Sequence, residues 1–410
     1  MYTEVKKCRI CASRNLVLIF SLGEQSLTGV FPKSLDEKIS KGPVDLLKCS
    51  ECGLVQLKQS YSLSEMYGEN YGYRSGLNQS MIDHLSLKIK NVLAIVKLDE
   101  GDAIIDIGSN DGTTLSLYEY GKYNLYGIDP TAKKFIDFYR DDINILSDFF
   151  SVELMEDNYI SKAKIITSFS MFYDLEDPTS FAKLIKTSLH EDGLWIFEQS
   201  YLPFMIETNS FDTICHEHLE FYSLKQIELI LKNAGLKIVD LEFNNVNGGS
   251  ISISATHHES LSYHVNTKKV QETLTKESEV LKLDSLTTYV DFNDRVDSLK
   301  KELMDLLINI KDQGKSISIL GASTKGNVLL QYYGITNKLV DYVGEVNPDK
   351  FSSFTPGTLI PIIDEDKLLA TNPDYLLVLP WHFKDYFITA KKYKGRNLIF
   401  ALPEVELITP

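Results

Sequence analysis

Four of the five cysteines fall into two pairs, Cys8-Arg9-Ile10-Cys11 and Cys49-Ser50-Glu51-Cys52. No other feature restricts the fold of this chain so tightly. Two C-x-x-C knuckles supply four thiolates, the tetrahedral set that structural zinc prefers. Turn-compatible residues follow each knuckle: Ala12-Ser13-Arg14 after the first and Gly53 after the second. The span between them is longer than in the shortest zinc ribbons, so a small β-rich insert is expected over 14–48. A thioredoxin-like redox role needs only one such pair. Two pairs favour Zn2+, with Cys8, Cys11, Cys49 and Cys52 as its ligands. A site closed by four thiolates keeps no open coordination position, so this metal is expected to be structural.

The rest of the chain is long enough, at 410 residues, for two or three domains with real cores. Its apolar and charged fractions, 43% and 24%, suit a soluble globular protein. A formal net charge of −15 argues against nucleic acid or an anionic membrane as a partner. An anionic ligand must then be gripped locally, by backbone amides and a few basic side chains. The opening residues carry no apolar signal-peptide core, and no stretch reaches the ~20 apolar residues of a membrane span. A cytoplasmic location is expected.

Beyond the cysteines, Tyr61, Tyr67, Tyr71 and Tyr73 cluster, either lining a ligand pocket or packing an irregular segment. Ile82, Leu85, Ile89, Val92 and Val96 then recur at helical spacing. The run AIIDIGSNDGTTLSLY (103–118) reads as a buried strand, a glycine turn and a helix. A second strand over 124–128 ends at Asp129-Pro130, which makes a βαβ opening. Gly108 and Gly112 let the backbone approach a ligand closely, and Asp129 stands where an acidic residue grips a ribose diol. The turn does not follow G-x-G-x-x-G, and Asp106 precedes it. That arrangement suits a cofactor with a ribose and a cationic amino-acid tail better than a pyrophosphate.

The alternation continues with strands over 164–168 and 194–198, a helix over 178–189, a helix over 224–234 closed by Gly235, and strands over 236–243 and 250–256. A long helical linker is expected over 266–313, with Phe292, Val296, Leu299, Leu303, Leu306 and Ile310 on one face. A second α/β unit opens with a strand over 316–320 and the turn GASTKGN (321–327). There Gly321, Ser323, Lys325 and Gly326 either hold a phosphate at a helix N-terminus or form a plain Rossmann-like turn. Strands over 339–344 and 375–379, then Trp381-His382, complete the unit.

One stretch, EQSYLPFMIETNSFDTICHEHLEFYS (198–223), begins at the C-terminal end of a predicted strand, where open α/β sheets bind ligands. His216 and His218 lie at i, i+2, not at the i, i+4 spacing of a helical metal site. They therefore share one face of an extended segment or a turn. An imidazole beside carboxylates suits proton transfer near neutral pH. A polar loop making structural hydrogen bonds is the bland alternative.

Together the paired knuckles, DIGSNDG (106–112), the 198–223 stretch, GASTKGN and NPDKFSSFTPGTLIPI (347–362) resemble the three-domain sugar C-methyltransferases that act on nucleotide-linked keto-deoxysugars. The resemblance spans almost the whole chain. It implies an α/β protein with a zinc-binding domain (1–70), a central Rossmann-like S-adenosylmethionine domain (71–260) and a C-terminal Rossmann-like domain (261–410) that helps hold the nucleotide sugar. Asp106, Gly108, Asn110, Asp129, Asp148 and Phe149 would line the cofactor site. His218 matches the catalytic base of the family and Glu217 a neighbouring carboxylate; His216 and Tyr222 join them as catalytic candidates. Substrate-binding candidates are Glu198, Tyr201, Cys215, Asn247, Ser323, Lys325, Asn347 and Lys350. Relatives tend to carry a tyrosine where this chain has Cys215, so the sugar is expected to differ in a substituent or in its pose. The expected protein is a monomer or weak homo-oligomer.

The chemistry is consistent with those residues. A keto group makes the neighbouring C–H removable as an enolate, and a positioned imidazole accelerates that step by about 10²–10⁴-fold. Donors near the enolate oxygen stabilise its charge, and proximity to a sulfonium methyl supplies much of the rest. No active-site metal is required. An O- or N-methyltransferase shares the cofactor site without needing an enolate. An NAD-dependent oxidoreductase is disfavoured by the absent G-x-G-x-x-G turns, and a zinc ribbon for nucleic acid by the acidic balance.

Overall fold

The computed structural model describes residues 2–62 and 74–410. Tyr67, Tyr71 and Tyr73 lie outside the described residues. The chain is mixed α/β. Its N-terminal insert is a bulged antiparallel hairpin, Leu16–Ser26 against Lys41–Cys49, extended by Val55–Leu57. The fourth strand of that sheet comes from far along the sequence. Glu220–Phe221, just after the histidines, pairs antiparallel with Gln56 and Val55.

The central sheet has seven strands in the order 236–244, 250–257, 189–200, 163–169, 103–107, 124–128, 143–146. The five strands from Leu189–Ser200 to Ile143–Leu146 run parallel; Ser250–His257 is antiparallel to both its neighbours. Ala103–Ile107 is buried at every residue, as a parallel strand covered on both faces should be. The chain winds one way from this strand and then returns to its other side. The switch between 103–107 and 163–169 opens a crevice at the strands' C-terminal ends.

Two helical expectations are corrected. After Gly112 there is only a short 3-10 turn, Leu115–Leu117. Thr113 and Thr114 are β-branched, the Ser116 hydroxyl donates back to the Gly112 carbonyl at 2.9 Å, and Gly121 turns left-handed at φ 67°. Too few residues lie between the two glycines to repay helix nucleation. The linker is also broken, into Thr267–Thr275, a π turn at Lys276–Val280, and the long helix Leu286–Asp312. Lys282 adopts φ 50°, and Ser285 caps the new helix by accepting from the Thr287 amide. The buried face of that helix uses Leu307, with Leu306 only partly covered. The strand expected over 339–344 shrinks to Val343–Glu345.

The C-terminal sheet has the order 362–364, 343–345, 317–320, 375–378, 397–400, 406–408, parallel except for the last strand. Its switch point lies between Ile317–Leu320 and Tyr375–Val378. The N-terminal module straddles the two larger sheets. Its knuckle end (Cys8, Cys49, Cys52, Leu54) shares a core with the central sheet. Its hairpin (Phe20, Leu22, Val44, Leu46) shares another with the C-terminal unit, where the Phe20 and Phe292 rings lie 5.5 Å apart. Val270 and Leu274 pack on the central core, although the sequence division puts them in the third module. No helix among the described residues is long and apolar enough to cross a membrane.

Candidate active site

At the central crevice the turn after Ala103–Ile107 is held by left-handed residues: Gly108 (φ 73°), Asn110 (φ 52°) and Gly112 (φ 73°). A Cβ on Gly112 would stand 2.6 Å from the Tyr139 ring, so both conformation and space demand glycine there. The Asn110 amide donates to Asp129 Oδ2 at 2.9 Å, and the Thr131 amide and hydroxyl donate to Oδ1 at 2.6 Å. Asp129 thus ties the turn to the end of the next strand. Beneath them Asp106 accepts from Thr167 Oγ1 at 2.5 Å, and burial pushes its carboxyl up to about 7 against the pull of that hydroxyl. Residues 75 and 76 cover the turn, their amides donating to Asn110 Oδ1 and Asp111 Oδ2 at 3.0 Å. Asp148 accepts from the Phe149 amide at 2.7 Å, and the Phe149 ring is exposed. Close backbone, an acidic residue at the second strand's end and a free aromatic ring fit an adenosyl group.

The histidine stretch lies where all three modules meet. The backbone bends at His216 and Glu217, so the two histidines do not share the one face that the i, i+2 spacing predicts. His216 is buried against the N-terminal module, its Nε2 3.2 Å from the Gln25 carbonyl and its ring 4.6 Å edge-on from Tyr61. Burial lowers its pKa to about 4. Glu217 faces Gly29, where a Cβ would stand 3.1 Å from its Oε1 and 3.8 Å from the Thr324 hydroxyl. Burial raises its carboxyl, with the Cys215 thiol opposing. His218 Nδ1 lies 2.7 Å from the Thr213 carbonyl, and its ring is 4.4 Å from Tyr173. A carbonyl only accepts, so Nδ1 carries the proton and Nε2 keeps the lone pair. Burial lowers this imidazole to about 4, opposed by the Thr213 carbonyl and helped by the Lys325 ammonium, so the ring is neutral at pH 7.

Lys325 comes from the C-terminal unit, in the first turn of Thr324–Tyr333, a helix capped by Ser323 accepting from the Gly326 amide at 3.0 Å. Its ammonium donates to the Asn247 carbonyl across the seam. Burial lowers its pKa, with Asp212 and Cys215 opposing. Asp212 accepts from Trp381 Nε1 at 2.9 Å. Four buried polar atoms in this group have no hydrogen-bond partner among the described residues: Asp212 Oδ1, Thr213 Oγ1, Glu217 Oε2 and His382 Nδ1. Buried polar groups are rarely left so.

The four knuckle sulfurs lie within 4.8 Å of one another, with Cys8 to Cys52 at 3.4 Å and Cys11 to Cys49 at 3.6 Å. Zinc–sulfur bonds of about 2.3 Å place tetrahedral ligands about 3.8 Å apart, so the set fits zinc. Three family models match in succession: a zinc binding domain over residues 8–67, a methyltransferase domain over 80–241 and a C-methyltransferase C-terminal domain over 245–403. The chain is a C-methyltransferase that uses S-adenosylmethionine. It is 26% identical to the C-methyltransferase NovU of Streptomyces niveus across 99% of this chain and 97% of that one. A solved S-adenosylmethionine-dependent methyltransferase from Clostridium acetobutylicum matches 42% of this chain and 89% of its own, at 14% identity and TM-score 0.32. The CcbJ methyltransferase of Streptomyces caelestis matches 48% and 96%, at 7% and 0.34.

In the methyltransferase, then, His218, Glu217, Cys215, Asn247, Ser323 and Lys325 converge on one seam. Other candidates point elsewhere. The Tyr201 hydroxyl donates to Glu277 Oε1 at 2.5 Å, although the residue lines a small cavity together with His218 and Thr213. Tyr222 stacks on Phe172 at 5.4 Å in the core. Lys350 donates to the Ala322 carbonyl at 2.7 Å over the Phe31 ring, and Asn347 caps Asp349. Glu198 sits at the top of its strand, binding His84 Nε2 at 2.6 Å, Asn244 Nδ2 at 2.8 Å and Lys88 Nζ at 3.2 Å. Burial raises this carboxyl, but the His84 and Lys88 contacts outweigh it and hold it below its ordinary range. Sequence reasoning did not nominate Asp212, His382 or His84. Asp212 lay inside the stretch read for its histidines, and His382 just past a predicted strand. His84 and Lys88 stand four apart on an amphipathic helix, a pairing visible in the sequence.

Proposed function

We propose that the methyltransferase alkylates the carbon beside the keto group of a nucleotide-linked 4-keto-deoxysugar, on a dTDP or GDP carrier, in branched-deoxysugar synthesis. The observation that supports this most is the neutral His218, its Nε2 lone pair free and its neighbours carrying unpartnered buried polar atoms at a seam between two sheets. His218 Nε2 takes the proton from the carbon. Glu217, kept towards its neutral form by burial, is suited to donate to the developing enolate oxygen, and the nearby Lys325 ammonium favours the negative charge. The cofactor supplies an electrophilic methyl when bound. Asp129 and the 108–112 turn hold its ribose, and Asp148-Phe149 its adenine. Division at about residues 70 and 260, a cytoplasmic setting and a monomer or weak homo-oligomer belong to the same reading.

The test is incubation with methyl-labelled S-adenosylmethionine and a panel of nucleotide-linked 4-keto sugars, with the label located by NMR. A new C–CH3 beside the keto carbon is expected, together with solvent exchange of that C–H when the cofactor is replaced by S-adenosylhomocysteine. Label on oxygen or nitrogen would overturn the enolate route.

A further inference from the structure

Arg9 lies between the first two metal ligands, yet its guanidinium reaches away from them into the catalytic strand. Its side chain is 2% exposed. Nη1 donates to the Leu57 carbonyl at 2.8 Å and more weakly to the Leu219 carbonyl at 3.5 Å, and Nη2 donates to Ser60 Oγ at 2.9 Å. Nε lies 3.2 Å from Glu176 Oε2 and 3.6 Å from Glu220 Oε1. Glu176 is largely in solvent, whereas the Glu220 side chain is 0% exposed. Neither Glu220 oxygen makes a hydrogen bond within range among the described residues; burial pushes this carboxyl up, and the Arg9 guanidinium is the charge that chiefly opposes that rise. Glu220 is two residues past His218 and begins the strand that completes the N-terminal sheet, opposite Gln56. The Gln56 amide oxygen in turn accepts from the Arg9 backbone at 2.9 Å.

We propose that Arg9 is a positioning residue for methyl transfer, transmitting the geometry of the metal site to the His218 segment by neutralising Glu220. A buried charge stripped of its partner is far costlier than a pair replaced by neutral groups. Without Arg9, an ionised Glu220 draws its strand from the sheet edge towards water, and the His218–Thr213 alignment shifts with it. This rests on His218 acting as the base. Misplacement by about 1 Å is enough to cost about 10²-fold in rate.

The experiment compares Arg9→Gln, Glu220→Gln and the double variant, measuring bound zinc, cofactor affinity by calorimetry, kcat and KM. Arg9→Gln is expected to keep its zinc and bind cofactor within about threefold of wild type, while kcat falls about 10²-fold. The double variant, with no charge left to strand, is expected to recover to within about threefold of Glu220→Gln. Wild-type kcat in Arg9→Gln, or a double variant as slow as Arg9→Gln, overturns the proposal. If Arg9→Gln does not fold, equal kcat in Glu220→Gln and the double variant supports it, and a much slower double variant with full zinc overturns it. A separate His218→Ala measurement distinguishes failure of the base assignment: turnover near wild type there removes the base, whatever the Arg9 and Glu220 variants show.

Discussion

A single hydrogen bond decides what His218 can do. The Thr213 carbonyl, five residues earlier, holds the proton on Nδ1 and leaves Nε2 as the base. His218→Ala is therefore expected to lower kcat by about 10²–10⁴-fold while cofactor affinity, read by calorimetry, stays within a few fold. Turnover near wild type would remove His218 from the mechanism. Because burial holds this imidazole at about 4, kcat/KM in the free enzyme should stay level through pH 6.5 and lose its base only near pH 4. An acid limb centred at 6.5 would contradict the buried, neutral ring. Stability has its own sign. An unfolded imidazole takes a proton near 6.5 and the folded one near 4, so between those values the unfolded chain binds more protons and His218 weakens the fold as pH falls. Glu217 and Asp212, raised by burial, act in the opposite sense. His218 and Glu217 were legible as neighbours of opposite chemistry at a strand end. The direction of each side chain was not, because it is set by a bend at His216 and Glu217 that no periodicity announces. Tyr222 shows the cost: near the histidines in sequence, it points into the core.

At the scale of elements, the cofactor turn was legible from its glycines and flanking strands, but the helix behind it was not. The run after Gly112 reads as a helix; the structure gives a single turn there, with both the amide and the hydroxyl of Ser116 on the Gly112 carbonyl, and Gly121 follows closely. The cofactor turn is held instead by long-range contacts, through Asp129 and Tyr139. Gly112→Ala forces a Cβ against the Tyr139 ring and a left-handed φ on alanine. The expected cost is about 1–3 kcal/mol of stability, seen as a lower Tm, with a weakened calorimetric affinity for S-adenosylmethionine. Unchanged affinity would separate the turn from the cofactor. The end of the long helix at Asp312 matches the helical linker expected over 266–313, whereas its start at Leu286 was not foreseen. Its apolar face is periodic, whereas the break before it is set by Lys282 and a serine cap.

At the scale of the molecule, the zinc module is a brace: one end shares a core with the central sheet, the other with the C-terminal unit. Cys49→Ser should lower bound zinc and the global Tm together, because both larger units lose a shared core. A variant keeping full metal, or losing it without a change in Tm, would contradict this arrangement. The cysteine spacing made the metal site readable. Nothing local announced that the hairpin would pack on a helix nearly three hundred residues away, since such contacts depend on surface shape and not on periodicity.

The strand Glu220–Phe221 carries one more consequence, for biosynthesis. The first knuckles and their hairpin leave the ribosome long before it, so Val55–Leu57 waits as an open sheet edge. At about 5–20 residues per second, the gap lasts roughly 10–30 s. An unpaired edge is where chains pair with the wrong partner, so the nascent N-terminal module is open to mispairing while the remainder is made.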